Sequence, residues 1–494
     1  MFYPGLEEIK ELSKKYNTIP VSMEIYADME TPISIFKRFE SSKYCFLLES
    51  VEGGEKWARF SFIGRNPSLI FKSVDGKSTV EDRDGNIRNI EGNPIEALQE
   101  VIGAFKGMKE AGLPRFNGGA VGYFGYDLIR YCEELPNVPE DDLHLPDSHF
   151  MIADEVIAFD HLEQKIHIIV NLHIDGNIER AYYSTIERIK AIHKEILNGR
   201  WKISENTKYN YNIQKSETNF TSNISKEEYC SNVLKAKEYI RNGDIFQVVL
   251  SQRLSTKLES EPFDIYRALR VINPSPYMYY LKFDQYQIIG SSPEMLARVE
   301  NGIVETCPIA GTKKRGSTPQ EDAELEKELL SDEKELAEHT MLVDLGRNDI
   351  GKVSKFGSVV VKDPMHIEKY SHVIHLVTNV QGTLDEKKTN FDALMAILPA
   401  GTLSGAPKIR AMEIIDELET VKRGPYGGAI GYISFDGSLD SCITIRTIVC
   451  KDKTAYVQAG AGIVADSVPE KEYEESLNKS RALLKALEEA KYIR

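Results

Sequence analysis

Apolar and polar residues alternate with a period of two in several short runs of this chain, and recur with a helical period in a few longer ones. Segments 165–172, 245–254, 277–283, 429–435, 441–450 and 455–463 are rich in β-branched and aromatic residues, so each predicts a strand; the glycine-bearing run 118–126 predicts another. Helical spacing predicts helices over 94–106 and 177–197. Ser225-Lys226-Glu227-Glu228 is a capping box that opens a helix ending near Gly243. Thr318-Pro319-Gln320-Glu321 opens another, expected to run towards Leu345 and to stop at Gly346. A last helix begins after Pro469, with an apolar stripe at Tyr473, Leu477, Leu484 and Leu487. Strands and helices do not alternate strictly. The expected class is therefore α+β, with large antiparallel sheets packed as a sandwich and helices outside, rather than a doubly wound sheet.

Between residues 198 and 223 the pattern lapses into Asn, Ser, Lys and Thr, which reads as a linker or surface excursion. At 494 residues the chain exceeds the size at which one hydrophobic core stops growing, so two domains are expected, 1–197 and 224–494. A formal charge of −15 argues against a nucleic-acid partner, whose phosphates need clustered Lys and Arg. The six cysteines are scattered without metal-ligand spacing, which fits packing roles in a reducing compartment. Met1 to Lys10 lack the basic flank and apolar run of a signal peptide, and no run of about eighteen apolar residues occurs. A cytoplasmic protein without membrane contact is expected.

Candidate chemistry begins at Gly401-Thr402-Leu403-Ser404-Gly405-Ala406-Pro407-Lys408, a small-residue loop delivered into the helical segment 409–416. Free backbone N–H groups at a positive helix end suit a carboxylate or phosphate. A Walker phosphate loop is excluded, because Ala406-Pro407 separate the second Gly from Lys408 and Ile409 follows the Lys. Glu338 shares a helical face with Met341, Leu342 and Leu345, and Glu335 lies one turn earlier. That face is either a half-exposed stripe edge or a set of carboxylates that needs a counter-charge. In the last helix Glu472, Glu475 and Lys479 fall off the apolar stripe, where a solvated ion pair is the plain reading. Arg446, in a strand beside Thr444, and His375, among aliphatic residues, read by pattern alone as a surface arginine and a core histidine.

The loop at 401–408 and the helix after it resemble the signature of the chorismate-utilising enzymes, and the resemblance extends densely over 246–481 and more thinly over 47–127. It implies that Glu335-Leu336-Ala337-Glu338-His339 and Glu472-Tyr473-Glu474-Glu475 together bind Mg²⁺, with Glu338 and Glu475 as direct ligands and Glu335 and Glu472 direct or through water. Magnesium prefers carboxylate oxygens and keeps waters, which suits these residues. It also implies that Arg446 grips the enolpyruvyl carboxylate of chorismate, where a bidentate guanidinium is apt. Lys479, Tyr426, Thr312, Gly401, Thr402 and the backbone of Gly460 and Gly462 would be further substrate contacts. His375 would transfer a proton in the elimination step, with His339 as the weaker alternative.

Two positions bear on the branch within that family. Ala310 stands where 4-amino-4-deoxychorismate synthases carry a nucleophilic Lys, and Gln247 stands where isochorismate and salicylate synthases carry a water-activating Lys. Neither alanine nor glutamine can do that work. The resemblance therefore implies ammonia as nucleophile, the anthranilate-forming pattern, with Gln247 beside Thr402 and His375 among the catalytic residues. Without a glutamine-hydrolysing signature of its own, the chain would draw ammonia from a separate glutamine amidotransferase subunit. Leu47-Leu48-Glu49-Ser50, with Asn273-Pro274-Ser275-Pro276-Tyr277-Met278, resembles the family's tryptophan-inhibitor site, which gives Glu49, Ser50, Pro274, Tyr277 and Met278 as candidates. The alternatives are a 4-amino-4-deoxychorismate synthase component and a non-catalytic tryptophan-binding regulatory subunit.

Overall fold

The computed structural model describes residues 2–51, 59–109, 112–198, 219–369 and 373–493. Among these residues two antiparallel sheets, one of 13 strands and one of 12, carry an apolar layer between them. Strand alternation sorts the side chains. In Tyr44–Glu49, Phe46 enters the central layer with Phe116, Tyr123, Tyr279 and Tyr432, whereas Cys45 and Leu47 face outwards. The outer face of the 13-stranded sheet is covered by helices Pro32–Phe39, Ile178–Asn198, Pro262–Ile272 and Pro469–Ala490. Helices Pro94–Gly103 and Asn390–Ile397 pack on the outer face of the other sheet. The expected α+β sandwich is the observed one. Among the described residues no helix is long and apolar enough to cross a membrane.

The division expected at 198–223 is a feature of the chain that the sheets do not follow. Tyr44–Glu49 pairs with Tyr277–Phe283, and Gly119–Phe124 pairs with Ala429–Ser434, so both sheets are built from both halves. Residues 199–218 lie outside the described residues, while Thr221–Ser222 adds a short strand beside Gln247–Lys257. The capping box at Ser225 forms as expected: Ser225 Oγ accepts from the Glu228 N–H, and the helix Lys226–Asn242 ends at Gly243 with φ +82°.

Two elements differ from the sequence reading. The helix expected from Thr318 to Gly346 is two helices, Pro319–Ser331 and Glu333–Gly351. Asp332 is extended, and its side chain accepts from the Lys334 and Glu335 N–H groups at 3.0 and 3.2 Å, so it caps a new helix in preference to continuing the old one. The strand expected over 441–450 is also two, Leu439–Ile443 in the 12-stranded sheet and Thr447–Lys451 in the 13-stranded sheet. Residues 444–446 carry the chain from one sheet to the other.

Candidate functional site

A cleft of about 700 Å³ opens where the 13-stranded sheet meets the helix Glu333–Gly351, the start of Pro469–Ala490 and the turn Gly401–Leu403. Its floor is the ladder between Gln247–Lys257 and Thr454–Ile463, in which Val249 lies opposite Gly462 and Ser251 opposite Gly460. Gly460 is required there, because a Cβ would collide with the Leu250 carbonyl, whereas one on Gly462 would sit 2.5 Å from Gln247 Nε2 and displace that side chain. Gln247 is buried, and its Oε1 has no hydrogen-bond partner among the described residues. A buried acceptor facing a cleft is a place for a ligand N–H.

Four carboxylates line the cleft, Glu335 and Glu338 from one helix and Glu472 and Glu475 from the other. Burial pushes the Glu338 carboxyl above its usual range, and the charges of Glu335 and Glu475 push it further. Burial raises Glu335 and Glu472 as well, with Glu475 adding to both. Among the described residues no three such side chains stand close enough to enclose an ion unaided. An all-carboxylate set under mutual repulsion nevertheless fits a hard divalent cation that completes its shell with water and substrate oxygens. Among these carboxylates stands Lys479, whose Nζ pairs with Glu475, one turn earlier on the same helix, at 2.8 Å and donates to the Gly460 carbonyl at 3.0 Å. Arg446 donates from Nη1 to the Lys479 carbonyl at 2.7 Å.

The cleft also holds Ala310, Tyr426, Thr402 and His375. The His375 Nδ1–H donates to the Gly311 carbonyl at 3.3 Å, which leaves the lone pair on Nε2, and burial keeps the ring's pKa below its ordinary value. Thr312 lies opposite His375 in the strand register, and its side chain is outside the described residues. Glu294, which follows the strand Tyr286–Ser292, had no periodic signal to mark it. Its carboxylate accepts from Thr402 Oγ1 at 3.2 Å, and burial raises its pKa against the pull of Thr402, Lys479 and Arg446.

Three expectations are corrected. The helix Lys408–Leu418 does not present its first turn to the cleft, because Gly405–Ala406 pairs with Gln247 and Val248, and Lys408 Nζ is tied to Asp349 at 2.7 Å and the Ile397 carbonyl at 2.9 Å. Gly401 lies behind the wall, where its missing Cβ admits Leu345. His339 is fully buried with Nε2 on Thr378 Oγ1 at 2.6 Å, and burial lowers it to about 4.

The profile of the chorismate binding enzymes matches residues 43–485. The chain belongs to the chorismate-binding enzyme family. Anthranilate synthase component 1 of Acetivibrio thermocellus is 72% identical over 494 residues, all of both chains, and that of Aquifex aeolicus is 49% identical over 489 residues, 98% of this chain and 97% of the relative. The crystal structure of anthranilate synthase component I from Streptococcus pneumoniae superposes with a TM-score of 0.77 at 42% identity, covering 93% of this chain and 99% of that one. The menaquinone-specific isochorismate synthase of Escherichia coli shares the fold at 18% identity, with a TM-score of 0.69 over 98% of each chain.

In this chorismate-binding chain the second candidate site lies on the pairing of Tyr44–Glu49 with Tyr277–Phe283, where Met278 is opposite Glu49. The Glu49 carboxylate is buried and already accepts from Tyr266 Oη at 2.5 Å, Arg270 Nε at 2.9 Å and Ser61 Oγ at 3.2 Å. Tyr277 Oη donates to Asp440 at 3.1 Å, and Pro274 lines the main cleft instead. Ser50 follows at the end of the strand and is half-buried.

Proposed function

We propose that this chain is the chorismate-binding component of an anthranilate synthase, converting chorismate and ammonia to anthranilate and pyruvate. The observation that carries the reading is the cleft itself: four carboxylates share it with Arg446 and Lys479, with Ala310 and Gln247 where other branches place a reactive lysine. Glu338 and Glu475, helped by Glu335 and Glu472, would hold Mg²⁺, which supplies a Lewis-acid anchor for the ring carboxylate of the substrate. Arg446 takes the enolpyruvyl carboxylate, and Tyr426 with the backbone of Gly460 and Gly462 shapes the ring pocket.

Ammonia attacks C2 while its N–H donates to Gln247 Oε1. The C4 hydroxyl leaves as water on a proton from Glu294, whose carboxyl burial pushes above its usual range, and the new C2 ammonium returns a proton to that carboxylate. His375, held towards its neutral form by burial, then takes the C2 proton as pyruvate departs. A separate glutamine amidotransferase subunit supplies the ammonia, and tryptophan inhibits from the Glu49 and Met278 region. Incubation of the purified chain with chorismate, Mg²⁺ and an ammonium salt tests this: fluorescent anthranilate and equimolar pyruvate are expected, with EDTA abolishing both. Isochorismate or 4-amino-4-deoxychorismate as product, or turnover indifferent to EDTA, would contradict it.

A further inference from the structure

Arg446 occupies an improbable backbone. It is a non-glycine residue at φ +50°, on the three-residue crossover that joins Leu439–Ile443 in one sheet to Thr447–Lys451 in the other. Such a conformation is costly for a long side chain and persists only where the surroundings fix it. The crossover is bonded at Thr444, whose N–H reaches the Gly428 carbonyl and whose carbonyl accepts from the Gly427 N–H, both at 2.9 Å. The Ile445 N–H reaches the Ile443 carbonyl at 2.9 Å, and the Arg446 carbonyl accepts from the Ser291 N–H at 3.1 Å.

A further tie, next to Arg446 itself, comes from across the sheet. Gly290 lies opposite Tyr279 on one side and opposite Thr447 on the other, so the three residues form one row across three strands. A Cβ on Gly290 would run into the Tyr279 ring. Because Gly290 has none, the ring lies over the middle strand and carries its hydroxyl to the third. There Tyr279 Oη meets Thr447 Oγ1 at 2.6 Å and approaches the Ile445 carbonyl at 3.5 Å. Thr447 Oγ1 donates its hydrogen to the Ile445 carbonyl at 2.8 Å, so the Tyr279 hydroxyl is the donor to Thr447. The two residues flanking Arg446 are thus pinned to each other and to a fully buried tyrosine.

We infer that Tyr279, acting through Thr447 and the gap at Gly290, is a positioning residue for Arg446: it holds the left-handed crossover so that the guanidinium enters the cleft and stays on the Lys479 carbonyl. Tyr279 itself does not line the cleft. This rests on the proposed role of Arg446 as the grip on a substrate carboxylate. An alternative role, simple core packing, predicts a loss of stability without any selective effect on substrate affinity.

The test is a double-mutant cycle on the full-length chain, with KM for chorismate and kcat measured at saturating ammonium and Mg²⁺. Tyr279→Phe keeps the ring and removes one buried hydrogen bond, so KM should rise about five-fold with kcat nearly unchanged. Thr447→Val, which keeps the shape and removes the same link, should do likewise. In the Arg446→Ala background both effects should vanish, because nothing is left to position. Unchanged KM in both single variants, or an equal effect with and without Arg446, would overturn the positioning role while leaving the grip intact. Should Arg446→Ala itself leave KM unchanged, the grip and the inference built on it both fail. Thermal melting separates folding from positioning: a fall in Tm with KM unaltered would assign Tyr279 to packing alone.

Discussion

At the scale of single residues, burial decides what each titratable group can do. Glu294 and His375 are both moved by burial towards their neutral forms, and those are the forms that a proton donor and a proton acceptor need. Burial has the same physical effect far from the cleft. His149 is buried in the layer between the sheets, stacked on Phe283 with ring centroids 4.3 Å apart and Nδ1 on Tyr286 Oη at 2.7 Å, and its pKa is lowered to about 3. The folded protein therefore resists a proton that the unfolded chain accepts near pH 6.5. Above that pH the histidine carries no linkage penalty; below it, stability should fall by about 1.4 kcal/mol per pH unit until about pH 3. Urea unfolding from pH 8 to pH 4 should give a shallower acid decline for His149→Gln than for the native chain. Equal slopes would show that this group does not titrate on unfolding.

At the scale of elements, the sequence was legible wherever local chemistry was strong. The capping box at Ser225, the glycine stop at Gly243 and the helix after Pro469 appear where their residues place them. Strand ranges such as Tyr277–Phe283 were readable because a short run of aromatic and aliphatic residues is buried on both faces, Met278 to Leu281 in succession. The failures have two causes, a tertiary demand at 441–450 and a hidden local cap at Asp332. Residues 441–450 read as one strand because nothing in Thr444-Ile445-Arg446 breaks the β pattern; only the need to change sheets turns Arg446 left-handed. The helix break at Asp332 was hidden because an Asp is tolerated within a helix and shows its capping role only through the N–H groups it accepts from. That break matters for the site, since it puts Glu335 in the first turn of a helix, where the dipole favours negative charge. Most of the cleft was readable by resemblance. Glu294 was not, since an isolated carboxylate between two strands carries no spacing to betray it.

At the scale of the whole molecule, both sheets take strands from both halves of the chain, and the cleft forms where those sheets, joined at Arg446, meet the helices. Pairings such as Leu48 with Tyr279 and Gly122 with Gly431 cross the polar segment that divides the sequence. A chain built this way should unfold in one cooperative transition, observed identically by far-ultraviolet and tyrosine signals, and residues 224–494 expressed alone should not form a stable fold. Two separable calorimetric transitions would contradict that. Functionally, the shared sheets mean that the Glu49 and Met278 pairing and the cleft belong to one body, with the segment 273–276 forming part of the cleft wall.

The central claim, that ammonia and not water or a lysine is the nucleophile aimed at C2, is tested most directly by turnover of chorismate with ¹⁵N-ammonium and Mg²⁺, followed by mass spectrometry of the products. The account predicts anthranilate carrying the ¹⁵N label, released with pyruvate in equal amount. An unlabelled hydroxylated product, or a label at C4 with no pyruvate released, would contradict it.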